Sequence, residues 1–380
     1  MHKIRILHIL PTLGRAGTEA FVMNCLRGID KSRFELVVLS LTDKEDDYGD
    51  EIRRLGSDLI AENLSLSSVW TLPTNFCRFT RILKSIDYDI LHCHVSSICG
   101  FIFLASYFAG KKRCVAHSHF SVYDKPTGSF LRRLLYGRFS RFLMLKLGKV
   151  FCACSKESAE ALYGSGPSST IINNGIDIDC FAKVPEASAE KLRVELNIPE
   201  GVKVYGNISR YESPKNIPFV VDVFNEIHKM QPDSKLLLAG RKGSLYDETR
   251  SKVLSYGLEK DVIMLETRAD VNVLMKVLDC VIFPSLNEGF SFSLIEAQAS
   301  SLPVLASDSL SEKMDFGLGL VYFLSLADGP EVWARKAISV GRADIDYLQI
   351  KEHLEDYDIR HSIKKLERVY CDLMQAISER

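Results

Sequence analysis

Residues 279–308 read DCVIFPSLNEGFSFSLIEAQASSLPVLASD. The apolar run from Cys280 to Phe283 passes through a proline and a glycine turn into a helical pattern beginning near Ser291, and Pro303 to Ala306 restarts an extended run. Strand, helix and strand in so short a stretch make one parallel βαβ unit. The alternation continues in both directions. In the second half the strand patterns are Val202 to Ile208, Lys235 to Ala239, Val262 to Leu265 and Gly319 to Leu324. In the first half they are Ile4 to Leu10, Glu35 to Leu41, Ile90 to His94, Cys114 to His119, Val150 to Cys154 and Thr170 to Asn173. Helical patterns surround Thr18 to Gly28, Phe76 to Ile86, Ile98 to Phe108 and Leu131 to Leu147. The fold class is therefore α/β with parallel sheets.

A chain of 380 residues exceeds what one core organises, and the turn-rich, then charged stretch 172–201 (INNGIDIDCFAKVPEASAEKLRVELNIPEG) divides it. Two Rossmann-like domains are expected, at 1–182 and 183–355, followed by a terminal helix, 356–380, that could return to the first domain. Leu348 to Arg380 reads as helix without another strand.

Composition excludes more than it assigns. With 48 Lys+Arg against 49 Asp+Glu, the overall charge calls for no polyanionic partner, and no nucleic acid is expected. The basic start MHKIRILHILPTLG has too short an apolar run for a signal peptide, contains His8 and lacks a small-residue cleavage site, so it reads as a first buried strand. No run of 18 or more apolar residues marks a membrane span. The ten cysteines show no paired metal spacing, which fits reduced thiols and a cytoplasmic location.

Chemistry gathers at strand ends. The stretch 202–216 (VKVYGNISRYESPKN) delivers Arg210 and Lys215 into a turn before a helix, and two cations at a helix N-terminus suit a diphosphate. In 286–296, Glu288 lies in the loop with Gly289 and Phe290, and Glu296 sits about one and a half turns into the helix. The N–H groups of Phe290, Ser291 and Phe292 form a second cradle for an anion or a hydroxyl. In the N-terminal turn PTLGRAGTEAF, Gly14 and Gly17 precede a helix with Glu19 in its first turn. G-x-x-G is not the dinucleotide fingerprint, and a turn that merely reverses the chain would look the same. His117 and His119, like His92 and His94, are spaced two apart at strand ends. They read either as metal ligands or as hydrogen-bonded histidines, and the second reading is the better one for His92 and His94.

Taken together, NEGFSFSLIEAQASSLPVLASD and the RYESPKN turn resemble the retaining glycosyltransferases of family 4, which have the GT-B fold. The resemblance extends over nearly the whole chain, through GRAGTE, AHSH, ACSKESAE and IINNGID. More finely, SDSLSEKMDFG, YFLSL and Trp333 in EVWARKAI resemble enzymes of capsule and exopolysaccharide assembly. The resemblance implies that the two parallel sheets face each other across a cleft. It implies a hexosyl- or N-acetylhexosaminyl-transferase acting on a UDP- or GDP-linked sugar, with a glycan or polyprenyl-linked acceptor, retention of configuration, and no cofactor or metal. In the implied roles, Arg210 and Lys215 neutralise the leaving diphosphate and Glu296 holds the donor ribose. Glu288, with Gly289 and the Phe290, Ser291 and Phe292 amides, orients the sugar hydroxyls. His117 lies near the reacting carbon, and Gly17 lets the diphosphate approach the opposite domain. The chain departs from the family's pattern at Ser301, where a glycine is usual, and at Arg15-Ala16, where two small residues are common. The D-x-D strings at Asp87/Asp89, Asp177/Asp179 and Asp344/Asp346 read as chance.

Two other functions fit the same donor motifs: a nucleotide-sugar 2-epimerase of GT-B-like fold, and a non-catalytic nucleotide-sugar-binding protein. From Lys125 to Lys156 there are eight Lys+Arg and no Asp or Glu, interleaved with Leu and Phe. That stretch reads either as a domain-packing helix with a solvated basic face or, through 128–149, as a peripheral contact with an anionic membrane surface on the inner face of the plasma membrane.

Overall fold

The computed structural model describes residues 3–15, 17–44, 47–64, 72–119, 133–288 and 291–378. The chain divides into two compact units, residues 1–175 with 359–380, and residues 176–358. The first unit holds a seven-stranded sheet built from β1 (Ile4–Leu10), β2 (Phe34–Ser40), β3 (Asp58–Ala61), β4 (Ile90–Cys93), β5 (Cys114–Ser118), β6 (Val150–Ala153) and β7 (Thr170–Ile171). Its order is β3-β2-β1-β4-β5-β6-β7, and every pairing is parallel. Alternation along the strands sends Leu7, Ile9, Leu91 and Ala116 into one buried layer with Phe79, Phe101 and Met144. It sends Ile6, Leu10, Ile90 and Val115 into another, with Phe21 and Val22 of the helix Gly17–Gly28 and Ile363, Leu366 and Tyr370 of the helix Ile359–Ser378. Strands covered on both faces explain the near-continuous apolar runs in the sequence.

The second unit holds six parallel strands, β8 (Lys203–Ile208), β9 (Ser234–Ala239), β10 (Val262–Leu265), β11 (Cys280–Phe283), β12 (Val304–Ser307) and β13 (Val321–Leu324), in the order β10-β9-β8-β11-β12-β13. Both sheets thus reverse direction of growth beside their first strand, which is the Rossmann arrangement.

Several expectations need correction. The strand β3 was not anticipated: its four residues are exposed or half-buried and carry no long apolar run. The units divide at 175/176 rather than 182/183, because Ile176 and Ile178 pack with Ile295, Ala299 and Ile350 of the second unit. The second crossing falls at 358/359 rather than 355/356, and the terminal stretch is not one helix. It breaks after Tyr347–His353 and resumes as Ile359–Ser378, which belongs to the first unit. Ser301 has φ +52°, a left-handed backbone that glycine adopts without strain, which accounts for a glycine being usual there.

Candidate active site

In open α/β sheets ligands settle outside the carboxyl ends of the strands where the order reverses. In the second unit that place lies between β8 and β11, and the loops leaving those two strands carry Arg210, Lys215 and Glu288. The loops are tied together. Leu286 N donates to Pro214 O at 2.8 Å, and the Asn216 side-chain amide donates to Pro284 O at 3.3 Å. Asn216 takes a left-handed backbone, φ +51°, and Pro218 follows in the first turn of the helix Ile217–Met230. At the end of β9, a Cβ on Gly240 would lie 1.9 Å from Ser209 O, so only glycine lets this loop press against the backbone that presents Arg210.

Lys215 Nζ pairs with the Glu288 carboxylate and stands 5.4 Å from the centre of the Phe283 ring. The two side chains are only 16% and 10% exposed, so this pair is largely withdrawn from water. Arg210 is exposed and has no ion pair among the described residues. One cation is thus neutralised in advance, while the other stands open.

Glu296 lies half-buried in the helix Phe292–Ala299, whose start is pinned to the end of β8 by Ser293 Oγ donating to Ile208 O at 2.9 Å. Its carboxylate has no hydrogen-bond or ion-pair partner among the described residues, and desolvation pushes its pKa up to about 7. Ser291 is buried and extended just before the helix, and Phe292 is half-buried. Gly289 and Phe290 lie outside the described residues.

In the first unit the helix begins at Gly17, which is exposed, and Glu19 is buried behind it, accepting a hydrogen bond from Thr12 Oγ1 at 2.6 Å. His117 is buried near the end of β5 with the Phe21 ring edge-on at 4.9 Å. It belongs to a group of five histidines drawn from three neighbouring strands: His8 in β1, His92 in β4, His94 after it, His117 in β5 and His119 after it. Burial lowers all five pKa values, His8 to about 3 and His119 to about 4, so each ring is neutral at pH 7. Ring nitrogens of His8, His92 and His94, and of His94, His117 and His119, lie within 4.8 Å of one another, close enough to hold a metal ion. Those rings also hydrogen-bond one another, with 2.9 Å between His8 and His94 and 2.8 Å between His94 and His119. The sequence spacing shows the two H-x-H pairs, but nothing in it points to His8 or to Tyr370, which touches His92 from the terminal helix at 2.7 Å.

The D-x-D strings do structural work. Asp87 and Asp89 bind Arg5, Asp177 caps the helix Ile178–Ala182, and Asp346 caps the helix Tyr347–His353. All ten cysteines are free.

Comparison with known proteins identifies the family. Residues 15–180 match the model for Glycosyltransferase Family 4, and residues 188–313 match that for Glycosyl transferases group 1. The chain is 32% identical over 378 residues to "Putative glycosyltransferase EpsF" of Bacillus subtilis (strain 168), covering 96% of each. It is 23% identical, over 80% of each chain, to the Escherichia coli UDP-Gal:alpha-D-GlcNAc-diphosphoundecaprenol alpha-1,3-galactosyltransferase. Among solved structures, Anabaena HepE, determined with UDP and glucose, superposes with a TM-score of 0.75 at 18% identity, over 97% of this chain and 100% of that one. The chain therefore belongs to the family 4 glycosyltransferases and is an enzyme of their GT-B fold.

Proposed function

We propose that the enzyme transfers a hexose or N-acetylhexosamine, with retention, from a nucleotide-diphosphate sugar to a glycan or polyprenyl-linked acceptor in surface-polysaccharide synthesis. The observation that carries this is the Lys215–Glu288 pair beside open Arg210 where the second sheet reverses its order. Bond cleavage at the anomeric carbon builds negative charge on the departing diphosphate, and fixed cations lower the barrier by meeting it. Arg210 receives the diphosphate first. Lys215 then exchanges Glu288 for phosphate, which leaves the Glu288 carboxylate to accept hydroxyls of the sugar. Glu296 accepts the ribose hydroxyls, and Gly289 and the amides of Phe290, Ser291 and Phe292 serve with Glu288 to orient the sugar hydroxyls. His117 and Gly17, on the first unit, serve the reacting sugar and the diphosphate. A donor phosphate oxygen takes the acceptor's proton, so no step calls for a metal or cofactor.

HepE was determined with UDP, and the galactosyltransferase uses UDP-Gal with a diphosphoundecaprenol acceptor, which supports UDP as the nucleotide and a lipid-linked acceptor. A panel of UDP- and GDP-sugars tests this by thermal shift. At a hundredfold excess over Kd the true donor stabilises the fold by about 2.7 kcal/mol, a rise of roughly 5–10 °C. A flat response across the panel rules the reading out. Donor binding without transfer or slow hydrolysis would favour the non-catalytic alternative.

The same reading places the enzyme on an anionic membrane at the inner face of the plasma membrane. No helix of the described residues is long and apolar enough to cross a membrane. Residues 120–132, part of the basic stretch, lie outside the described residues. On either side of them in sequence, Tyr107, Phe108, Phe139 and Phe142 are 48%, 57%, 43% and 58% exposed, and Lys112, Arg138, Lys146 and Lys149 are exposed or half-buried close by along the chain. The helices that carry these aromatics cross tightly, since a Cβ on Gly100 would lie 1.8 Å from Ser140 O. Exposed aromatics with cations suit an acidic lipid surface, where each cation contributes about 1 kcal/mol. Vesicles containing anionic lipid should sediment the protein at low salt, and Arg138→Glu with Lys146→Glu should weaken that binding at least tenfold. Equal binding by the variant removes the membrane from the reading.

A further inference from the structure

The two H-x-H pairs and His8 share one face of the first sheet. Period two leads from Ile6 to His8 in β1, from Ile90 to His92 and His94 along β4 and past it, and from Val115 to His117 and His119 along β5 and past it. Ile6, Ile90 and Val115 all lie in the layer that Phe21 covers. The register sets His8 beside His92 and Cys93 beside Ala116, so one step further His94 stands beside His117. His8, His92, His94 and His117 are at most 2% exposed, and His119 is half-buried at the outer end. Packing alone is served by the Ile and Val of the preceding positions, whereas each buried imidazole brings two nitrogens that need partners.

Two sets of three rings bring a nitrogen from each within 4.8 Å of one another, and their hydrogen bonds tell the sets apart. In His8, His92 and His94 every nitrogen is engaged. His8 meets His94 at 2.9 Å and the Tyr370 hydroxyl at 3.3 Å, His92 meets that hydroxyl at 2.7 Å and His117 at 3.2 Å, and the remaining His94 nitrogen meets His119 at 2.8 Å. In His94, His117 and His119 two are not: His117 Nε2 and His119 Nδ1 are buried without a hydrogen-bond partner among the described residues. The Phe21 ring also roofs these three, its centre 6.1, 4.9 and 5.4 Å from theirs. An H-x-H pair at one strand end, with a third histidine from the neighbouring strand end, supplies the three ligands of a zinc site that keeps its fourth position open.

The outer nitrogens of two of these ligands are already placed. A ring that gives one lone pair to a metal carries its proton on the other nitrogen, and that proton needs an acceptor. With His94 binding through Nδ1 and His117 through Nε2, the protons on His94 Nε2 and His117 Nδ1 face His8 Nδ1 at 2.9 Å and His92 Nε2 at 3.2 Å. His8 and His92 both meet Tyr370, so one hydroxyl braces both arms. The ion replaces the link between His94 Nδ1 and His119 Nε2, and the His119 proton sits on Nδ1. Those two nitrogens, 2.8 Å apart, open to the roughly 3.3 Å that separates two ligands of tetrahedral zinc.

We infer that His94, His117 and His119 bind one divalent ion of the zinc class, and that this ion excludes the donor sugar. Hard cations such as Mg2+ and Ca2+ take oxygen ligands and find none in this set. The exclusion rests on the function proposed above, which gives His117 to the transferred sugar; the metal site does not. The ion is thus a competitor of the donor and takes no part in the transfer.

The test is titration of the chelator-stripped chain with zinc chloride by calorimetry and with cobalt chloride by absorption. Each should bind as one equivalent. The cobalt form should show the visible bands of a tetrahedral site, without the near-ultraviolet charge-transfer band that a cysteine ligand gives. His119→Gln, at the half-buried outer end, should weaken zinc by more than about a hundredfold. Tyr370→Phe, with its circular dichroism unchanged, should weaken it roughly ten- to hundredfold, the effect of an outer partner of ligating histidines. With an active donor, zinc should raise the donor's apparent KM, leave kcat unchanged and be reversed by EDTA, and Mg2+ should have no such effect. Absence of zinc binding overturns the inference, and so does a cysteine charge-transfer band. Zinc affinity intact in His119→Gln also overturns it, since the ion would then lie on His8, His92 and His94. Zinc held as expected with the donor KM unmoved, in a chain that transfers sugar, overturns the exclusion. Zinc lost on His119→Gln, in a chain that binds no nucleotide sugar, sinks the donor reading and leaves the metal site standing.

Discussion

Lys215→Ala should lower sugar-transfer kcat/KM by about 10²–10³, the scale of removing one fixed donor from a developing oxyanion. Two effects combine. The variant loses a cation that would meet the diphosphate, and it strands Glu288, whose side chain is 10% exposed, without its partner. A carboxylate left alone in such a place destabilises the fold by about 3 kcal/mol. The double variant Lys215→Ala/Glu288→Gln separates these contributions. It should recover most of the lost Tm, because no unpaired charge remains, yet stay as poor in donor binding as the single variant. Calorimetry and donor titration on the same preparations read both. Wild-type kinetics in Lys215→Ala would remove the diphosphate site from this turn.

How much of this was legible in the sequence depended on separation along the chain. Arg210 and Lys215 sit in one short turn, and Glu288 and Glu296 sit in one βαβ unit, so each pair announces itself locally. That Lys215 should touch Glu288 requires β8 and β11 to be neighbours, which comes from the Rossmann strand order more than from either motif. The histidine chain lies further out of reach. His92, His94, His117 and His119 stand in two H-x-H pairs, but His8 looks like a polar interruption in a first strand, and Tyr370 looks like one more apolar position on a terminal helix. They converge because β1, β4 and β5 are adjacent and the terminal helix returns to the first unit. Edge strand β3 and the break at 354–358 were missed for a different reason. Both are short segments whose conformation is set by what they pack against rather than by their own periodicity.

Glu296→Gln should make the ligand-free enzyme more stable and the working enzyme worse. Desolvation raises the Glu296 pKa to about 7, above the roughly 4.3 of an unfolded chain. The folded state therefore holds this proton more tightly than the unfolded state does. Its contribution to stability is fully present below about pH 4.3 and is lost as pH rises through 7. Glutamine does not titrate, so the two proteins should be closest in stability near pH 4. By pH 8 the variant should be ahead by roughly 1–3 kcal/mol, several degrees in Tm, the lower end reflecting the half-buried setting of the carboxylate. Donor binding should move the other way. Ribose hydroxyls donate to an ionised carboxylate more strongly than to an amide oxygen, so wild-type affinity should improve between pH 6 and 8 as Glu296 ionises. In Glu296→Gln that pH dependence should flatten and affinity at pH 8 should fall about tenfold. A carboxylate kept without a partner among the described residues, at a cost in stability, is what a binding site retains for its ligand. Equal Tm values for the two proteins at pH 8, or a wild-type donor affinity indifferent to pH across this window, would show that Glu296 is not that group.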